Sequence, residues 1–175
     1  KTLVEVEPRI AINATNTPGD AQSVFRISQS GSYYLTGNVT GVSGKNGILI
    51  ATSNVTIDLN GFTLFGVTGS LHGIARNVNL NSGIRILNGT ISGWGLDGIN
   101  LPLNGSGDTR GFLYDSIICR NNGGVGFLIG DGSVLTRCVS AGNVSHGFAA
   151  NNHVRFSDCV ASANGGNGFS GGFGC

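Results

Sequence analysis

Residues 143–159, NVSHGFAANNHVRFSDC, gather His146, His153, Asp158 and Cys159 within seventeen positions. Imidazole, carboxylate and thiolate are the groups that bind transition metals, move protons and attack electrophiles. His146-Gly147 has a counterpart in His72-Gly73, and Asp97-Gly98 stands between them in the chain. A His–Asp–His edge is a setting for acid–base chemistry, so His72, Asp97 and His146 are the candidate catalytic residues. Trp94, in SGWGLDGI, offers an aromatic face on which a sugar ring could stack. The segment LPLNGSGDTRGF (101–112) adds Asp108 and Arg110 as candidate ligand contacts. Cys138 and Cys159 stand 21 residues apart and are a candidate disulfide.

What must position these residues is a repeat. Gly47-Ile48, Gly73-Ile74, Gly98-Ile99, Gly126-Phe127, Gly147-Phe148 and Gly168-Phe169 follow one another at intervals of 26, 25, 28, 21 and 21. Steps of 21 align Tyr114 with Leu135 and Phe156, Ile118 with Val139 and Val160, and Asn122 with Asn143 and Asn164. Gly, Asn, Thr, Val and Ile disfavour helix and favour turns and strands. Units of this length, alternating in SNVTIDLNGFTLFG (53–66) and GIRILNGTISG (83–93), stack when the chain winds as a parallel β-helix. Each coil then pairs with the next at ~4.8 Å, giving a rod roughly 25–30 Å long. The expected fold is all-β: a single-stranded right-handed parallel β-helix of five to six coils, with residues 1–35 as an N-terminal capping segment and 36–175 as coils. Asn122, Asn143 and Asn164 are expected to hydrogen-bond along the axis as a ladder.

The register reinterprets the opening stretch. His146 and His153 are separated by a strand and fall at different corners of one coil, so a shared metal is not expected. Asp158 aligns with Arg137 and predicts a surface ion pair between adjacent coils. Cys138 and Cys159 share a position in neighbouring coils, within bridging range, whereas Cys119 aligns with Ser140 and Cys175 with Val154. Of the seven aspartates, Asp115, Asp131 and Asp158 each stack on a residue other than a carboxylate. Asp97 sits at the corner shared by His72, Val125, His146 and Asn167, where a purely structural role as polar corner residues is the competing reading. No cofactor is expected.

The segments GSYYLTGNVTG, NGILI, NVTIDLNGFTLFG and GIRILNGTISGWGLDGI resemble bacterial secreted right-handed parallel β-helix proteins of the pectin lyase-like superfamily, over residues 23–170. The resemblance implies the fold and admits polysaccharide lyases, hydrolases, tailspikes and adhesins. The His-Gly pairs are similar to the Gly-His-Gly of polygalacturonases, which also need a cluster of three aspartates that the register does not supply. A pectate lyase-like Ca²⁺ site would need several converging acidic residues with an Arg or Lys base, and none assembles.

Composition narrows the partners. Net charge is +1, with 11% charged residues, which gives no electrostatic case for nucleic acid or an anionic membrane. No apolar run reaches the ~20 residues of a spanning helix. The chain has no Met and starts at Lys1, as removal of a secretion signal would leave it; a secreted or cell-surface location is expected. Asn13, Asn38, Asn54, Asn88, Asn104 and Asn143 lie in Asn-x-Ser/Thr sequons. GGFGC stops partway through a coil, so end-to-end self-association is expected. The leading expectation is a non-catalytic extracellular structural rod. Its alternatives are a polysaccharide lyase or glycoside hydrolase and a carbohydrate-binding module using Trp94 and the 101–112 loop.

Overall fold

The computed structural model describes residues 8–77, 82–102, 112–172 and 174. Within them the chain is all-β. Strand β1 (Ile10–Ala11) precedes the first coil, which holds β2 (Ser23–Ile27), β3 (Gly31–Tyr34) and β4 (Val39–Thr40). Coil 2 holds β5 (Asn46–Ile50), β6 (Val55–Asp58) and β7 (Thr63–Phe65). Coil 3 holds β8 (Ile74–Arg76) and β9 (Arg85–Ser92), and coil 4 holds β10 (Ile99–Leu101) and β11 (Leu113–Arg120). Coil 5 holds β12 (Phe127–Ile129), β13 (Val134–Thr136) and β14 (Val139–Ala141). Coil 6 holds β15 (Phe148–Ala150), β16 (Arg155–Ser157) and β17 (Val160–Ser162), and β18 (Phe169–Ser170) opens a seventh.

Every strand pairs in parallel with its equivalents in neighbouring coils, so the molecule is a β-solenoid of about six turns. The Gly-Ile/Phe strands form one seven-stranded sheet, β2-β5-β8-β10-β12-β15-β18. The other two faces belong to an eleven-stranded sheet, because β9 and β11 run through the bend between them. That bend falls on one left-handed residue per coil: Asn60, Asn88, Ser116, Arg137 and Asp158 have φ between 51° and 56°. Asn tolerates this region best; at Arg137 and Asp158 the stacked coils impose it.

Alternation along each strand sends one column inward and the next outward. Ile48, Ile74, Ile99, Phe127 and Phe148 are fully buried in register on the first sheet. Phe127, Phe148 and Phe169 stack face to face with centroids 4.8 Å apart at each step, matching the strand spacing. Tyr33, Ile57, Ile86, Tyr114 and Leu135 form the facing column.

Two expectations change. The boundary at residue 35 falls inside the first coil, since β2 and β3 already pair in register with β5 and β6. The covering segment is shorter. Pro18 bridges Phe25 antiparallel, and Arg26 N–H donates to Thr17 O at 3.4 Å. A proline on this outer edge removes a donor that an added strand would need. Second, Arg137 and Asp158 are in register but not paired. The long Arg137 side chain lies back across the preceding coil, where Asp115 accepts from it at 2.6 Å and Ser116 at 3.3 Å. With Arg137 largely exposed, this pair adds little stability.

Candidate functional site

The corner before each Gly-Ile/Phe strand carries one column: Asn46, His72, Asp97, Val125, His146 and Asn167. At this corner the chain turns into the next strand, and the backbone N–H of the column residue points along the axis toward the previous coil. That N–H needs an acceptor; Asn46 N–H finds Gln22 O at 2.9 Å, and at four of the later corners the side chain one coil back supplies it. Asn46 Oδ1 accepts from His72 N–H at 3.1 Å. His72 Nδ1 accepts from Asp97 N–H at 3.2 Å, and Asp97 Oδ1 from Val125 N–H at 2.7 Å. His146 Nδ1 accepts from Asn167 N–H at 2.9 Å. The same device recurs elsewhere: Asn38 Oδ1 holds Thr63 N–H at 2.9 Å, and Asp131 Oδ1 holds Asn152 N–H at 2.9 Å.

The three candidate catalytic residues therefore perform the work that an amide performs at Asn46. His72 and Asp97 come together: Asp97 Oδ2 lies 3.2 Å from His72 Nδ1 and accepts from Asn100 Nδ2 at 2.6 Å. His146 stands two coils away and joins neither. Burial raises the Asp97 carboxyl, but the adjacent His72 ring and hydrogen bonds from Val125 N–H and Asn100 more than offset this and hold it below its ordinary value. A carboxylate with a depressed folded pKa adds stability above its unfolded pKa, and that stability is lost as pH falls through the folded value. Asp97→Asn keeps an acceptor for Val125 N–H but cannot titrate. Its stability deficit against the wild type is expected to shrink as pH falls below ~4, as read from denaturant midpoints between pH 3 and pH 5.

His153 lies at another corner, in the left-handed region at φ 57°. Among the described residues no group of three or more His, Cys, Asp or Glu side chains could hold a metal.

Trp94 corrects a second expectation. It occupies the coil 3 position of the column Asn122, Asn143, Asn164, as Trp94 N–H donating to Asn122 Oδ1 at 3.0 Å shows. This column points inward. Asn122 and Asn143 are buried, and each amide donates to the next Asn Oδ1 at 2.9 Å. The Trp94 indole is 1% exposed, and its N–H donates to Leu64 O at 3.2 Å. No face of it is open to a sugar ring. Asp108 and Arg110 lie outside the described residues.

Cys138 and Cys159 stack in adjacent coils, next to the paired Val139 and Val160, but both are free thiols. Cys138 Sγ donates to Thr136 O at 3.4 Å, and Cys159 Sγ to Ser157 O at 3.4 Å and to Leu135 O of the preceding coil at 3.5 Å. Burial pushes the Cys138 thiol up to about 12, and complete burial holds Cys119 well above its ordinary value. Because the thiolate is the nucleophile, iodoacetamide at neutral pH is expected to label Cys159 first among these three. Cys119 and Cys138 should label only with unfolding; peptide mass mapping of a time course checks the order. Cys175 lies outside the described residues.

A groove of about 350 Å³ follows the outer side of the first sheet. Leu49 and Ala75, outward-facing yet nearly buried, form its floor. Gln22, Asn46, His72 and Asn100 line it. The sequence reading passed over Gln22 and Asn100, which are single polar residues with no distinguishing spacing. It also passed over Asn46, although its place before Gly47 in the repeat was a readable signal.

No protein-family model matches the chain, and the comparisons find neither a curated protein nor a solved structure similar to it.

Proposed function

We propose that this chain is a non-catalytic structural β-solenoid, an extracellular rod that supplies shape and surface rather than turnover. The corner column supports this reading most strongly. The side chains best suited to acid–base chemistry each hold an amide of the following coil, alongside Asn46 in the same role. Secretion, and kinship with the pectin lyase-like superfamily, belong to the same proposal and rest on composition and the coil motif. So does end-to-end association of copies, in which an incoming coil at the β2 end would meet the Pro18 segment rather than an open edge. A panel of neutral and uronic-acid polysaccharides, incubated with the wild type and with a His72→Asn/Asp97→Asn variant, tests the reading. The expected result is no new reducing ends and no unsaturated product with either protein. Turnover by the wild type that disappears in the variant overturns it.

Carbohydrate binding is a second reading, favoured by the groove rather than by Trp94. Polar side chains around an apolar floor suit a hydroxylated ring. If it holds, a Gln22→Ala/Asn100→Ala variant loses the glycan retention that the wild type shows on affinity electrophoresis. Equal migration of the two proteins rejects it.

A further inference from the structure

The two corner histidines respond differently to protonation, and the difference is built into what each one faces. A neutral imidazole has one nitrogen able to accept; an imidazolium has none. His72 Nδ1 lies 3.2 Å from both Asp97 N–H and Asp97 Oδ2. When this ring takes a proton it loses the amide and gains the carboxylate. His146 has no such partner. Its Nδ1 accepts from Asn167 N–H at 2.9 Å, and Gly166 lies directly against the ring, so close that a Cβ there would sit 2.7 Å from Nδ1. Gly166, Asn167 and Val125, its neighbours along and beside the column, carry no titratable group. The next titratable side chain along this corner is Asp97, two coils back, already held by Val125 N–H and Asn100.

We propose that His146 makes the contact between coil 6 and the coil that follows it acid-sensitive. Protonation of the ring removes the acceptor from Asn167 N–H and loosens residues 165–170, while the His72–Asp97 corner stays closed. The bonds beside it, Gly147 N–H to Asn167 O and Phe148 N–H to Gly168 O, both 2.9 Å, are then the ones that open. Their opening leaves the edge of β15 free to pair with another strand. His is the side chain whose unperturbed charge change lies between about pH 5 and 8, which sets the interval for the test.

Amide hydrogen exchange followed by NMR tests this, with each rate divided by its unstructured reference rate at the same pH. The protection of Asn167 is expected to fall roughly three- to tenfold from pH 8 to pH 5, as the loss of one hydrogen bond dictates. Protection of Gly73 N–H, which donates to Asp97 O at 3.1 Å beside the closed corner, should change less over the same interval. In His146→Asn, which copies Asn46 in the same column, Asn167 protection should be flat with pH. A wild-type protection factor that does not change with pH overturns the proposal, as does an equal fall in the variant. A second readout needs no variant. The ring ¹⁵N shifts of His146 at pH 8 must report Nε2–H with bare Nδ1, and the opposite tautomer overturns the proposal.

Discussion

Trp94→Ala destabilises the protein by about 3–5 kcal/mol, one of the two largest losses expected from a single substitution in this chain. The indole fills the interior between coils 1 and 3, and it does so because glycines make room. A Cβ at Gly41 would sit 2.8 Å from the Trp94 ring, and one at Gly47 would sit 2.7 Å from it. Truncation leaves a hole that these backbones cannot readily close, since Gly41 N–H is held by Phe65 O at 2.7 Å and Gly47 N–H by His72 O at 2.9 Å. It also leaves Leu64 O without the indole N–H. The pair is coupled: Gly41→Ala is costly in the wild type, where Trp94 is the nearest obstacle, and should cost measurably less in the Trp94→Ala background. Urea midpoints of the two single variants and the double variant close the cycle. Additive losses would show that the ring does not occupy this space.

Asn143→Ala is the second large effect, roughly 3–6 kcal/mol, from polar groups left buried without partners. Asn143 Oδ1 accepts from both the backbone N–H and the side-chain amide of Asn122, at 3.1 and 2.9 Å. Its own amide donates to Asn164 Oδ1, Cys119 O and Ser140 Oγ. Removing the side chain leaves Asn122 N–H without its acceptor and takes one partner each from Asn122 Nδ2, Cys119 O, Ser140 Oγ and Asn164 Oδ1. Asn143→Asp separates acceptor from donor. It keeps the bonds from Asn122, loses those made by the amide, and places a carboxylate against Asn164 Oδ1. Burial raises that carboxyl in the folded state. The variant is therefore most stable below the unfolded carboxylate value of about 3.9 and weakens as pH rises through the folded one. Thermal unfolding from pH 3 to pH 7 should show the Asn143→Asp midpoint falling relative to that of the wild type; a rise relative to the wild type would contradict the ladder.

Much of the fold was legible because the coil repeat leaves the same residue types at the same places. Gly-Ile and Gly-Phe marked one strand per coil, and steps of 21 aligned coils 4 to 6 residue by residue, as the pairs Leu113↔Val134 and Val134↔Arg155 show. The first coil escaped because Phe25, which pairs with Ile48, follows Val24 rather than Gly. Trp94 was legible as an aromatic beside a turn but not as a core residue. A turn residue reads as exposed, and only the packing of Gly41 and Gly47 against the ring shows that this column faces inward. The corner column was legible as a column, but its chemistry was not. His and Asp invite catalytic readings by type, whereas their work here is set by an amide N–H that no side-chain pattern displays. Asn46 at one end is the residue that reveals it, since an amide there can only be a hydrogen-bonding group.

The account stands on the corner side chains acting as acceptors for the next coil, interchangeable with Asn. Equilibrium unfolding of two triple variants at positions 72, 97 and 146 measures this most directly. Replacing all three by Asn is expected to leave stability within about 1 kcal/mol of the wild type, because an acceptor remains at each corner. Replacing all three by Val, the residue found at Val125, is expected to cost about 2–4 kcal/mol. Equal stability of the Asn and Val proteins would contradict the ladder and reopen His72, Asp97 and His146 to another role.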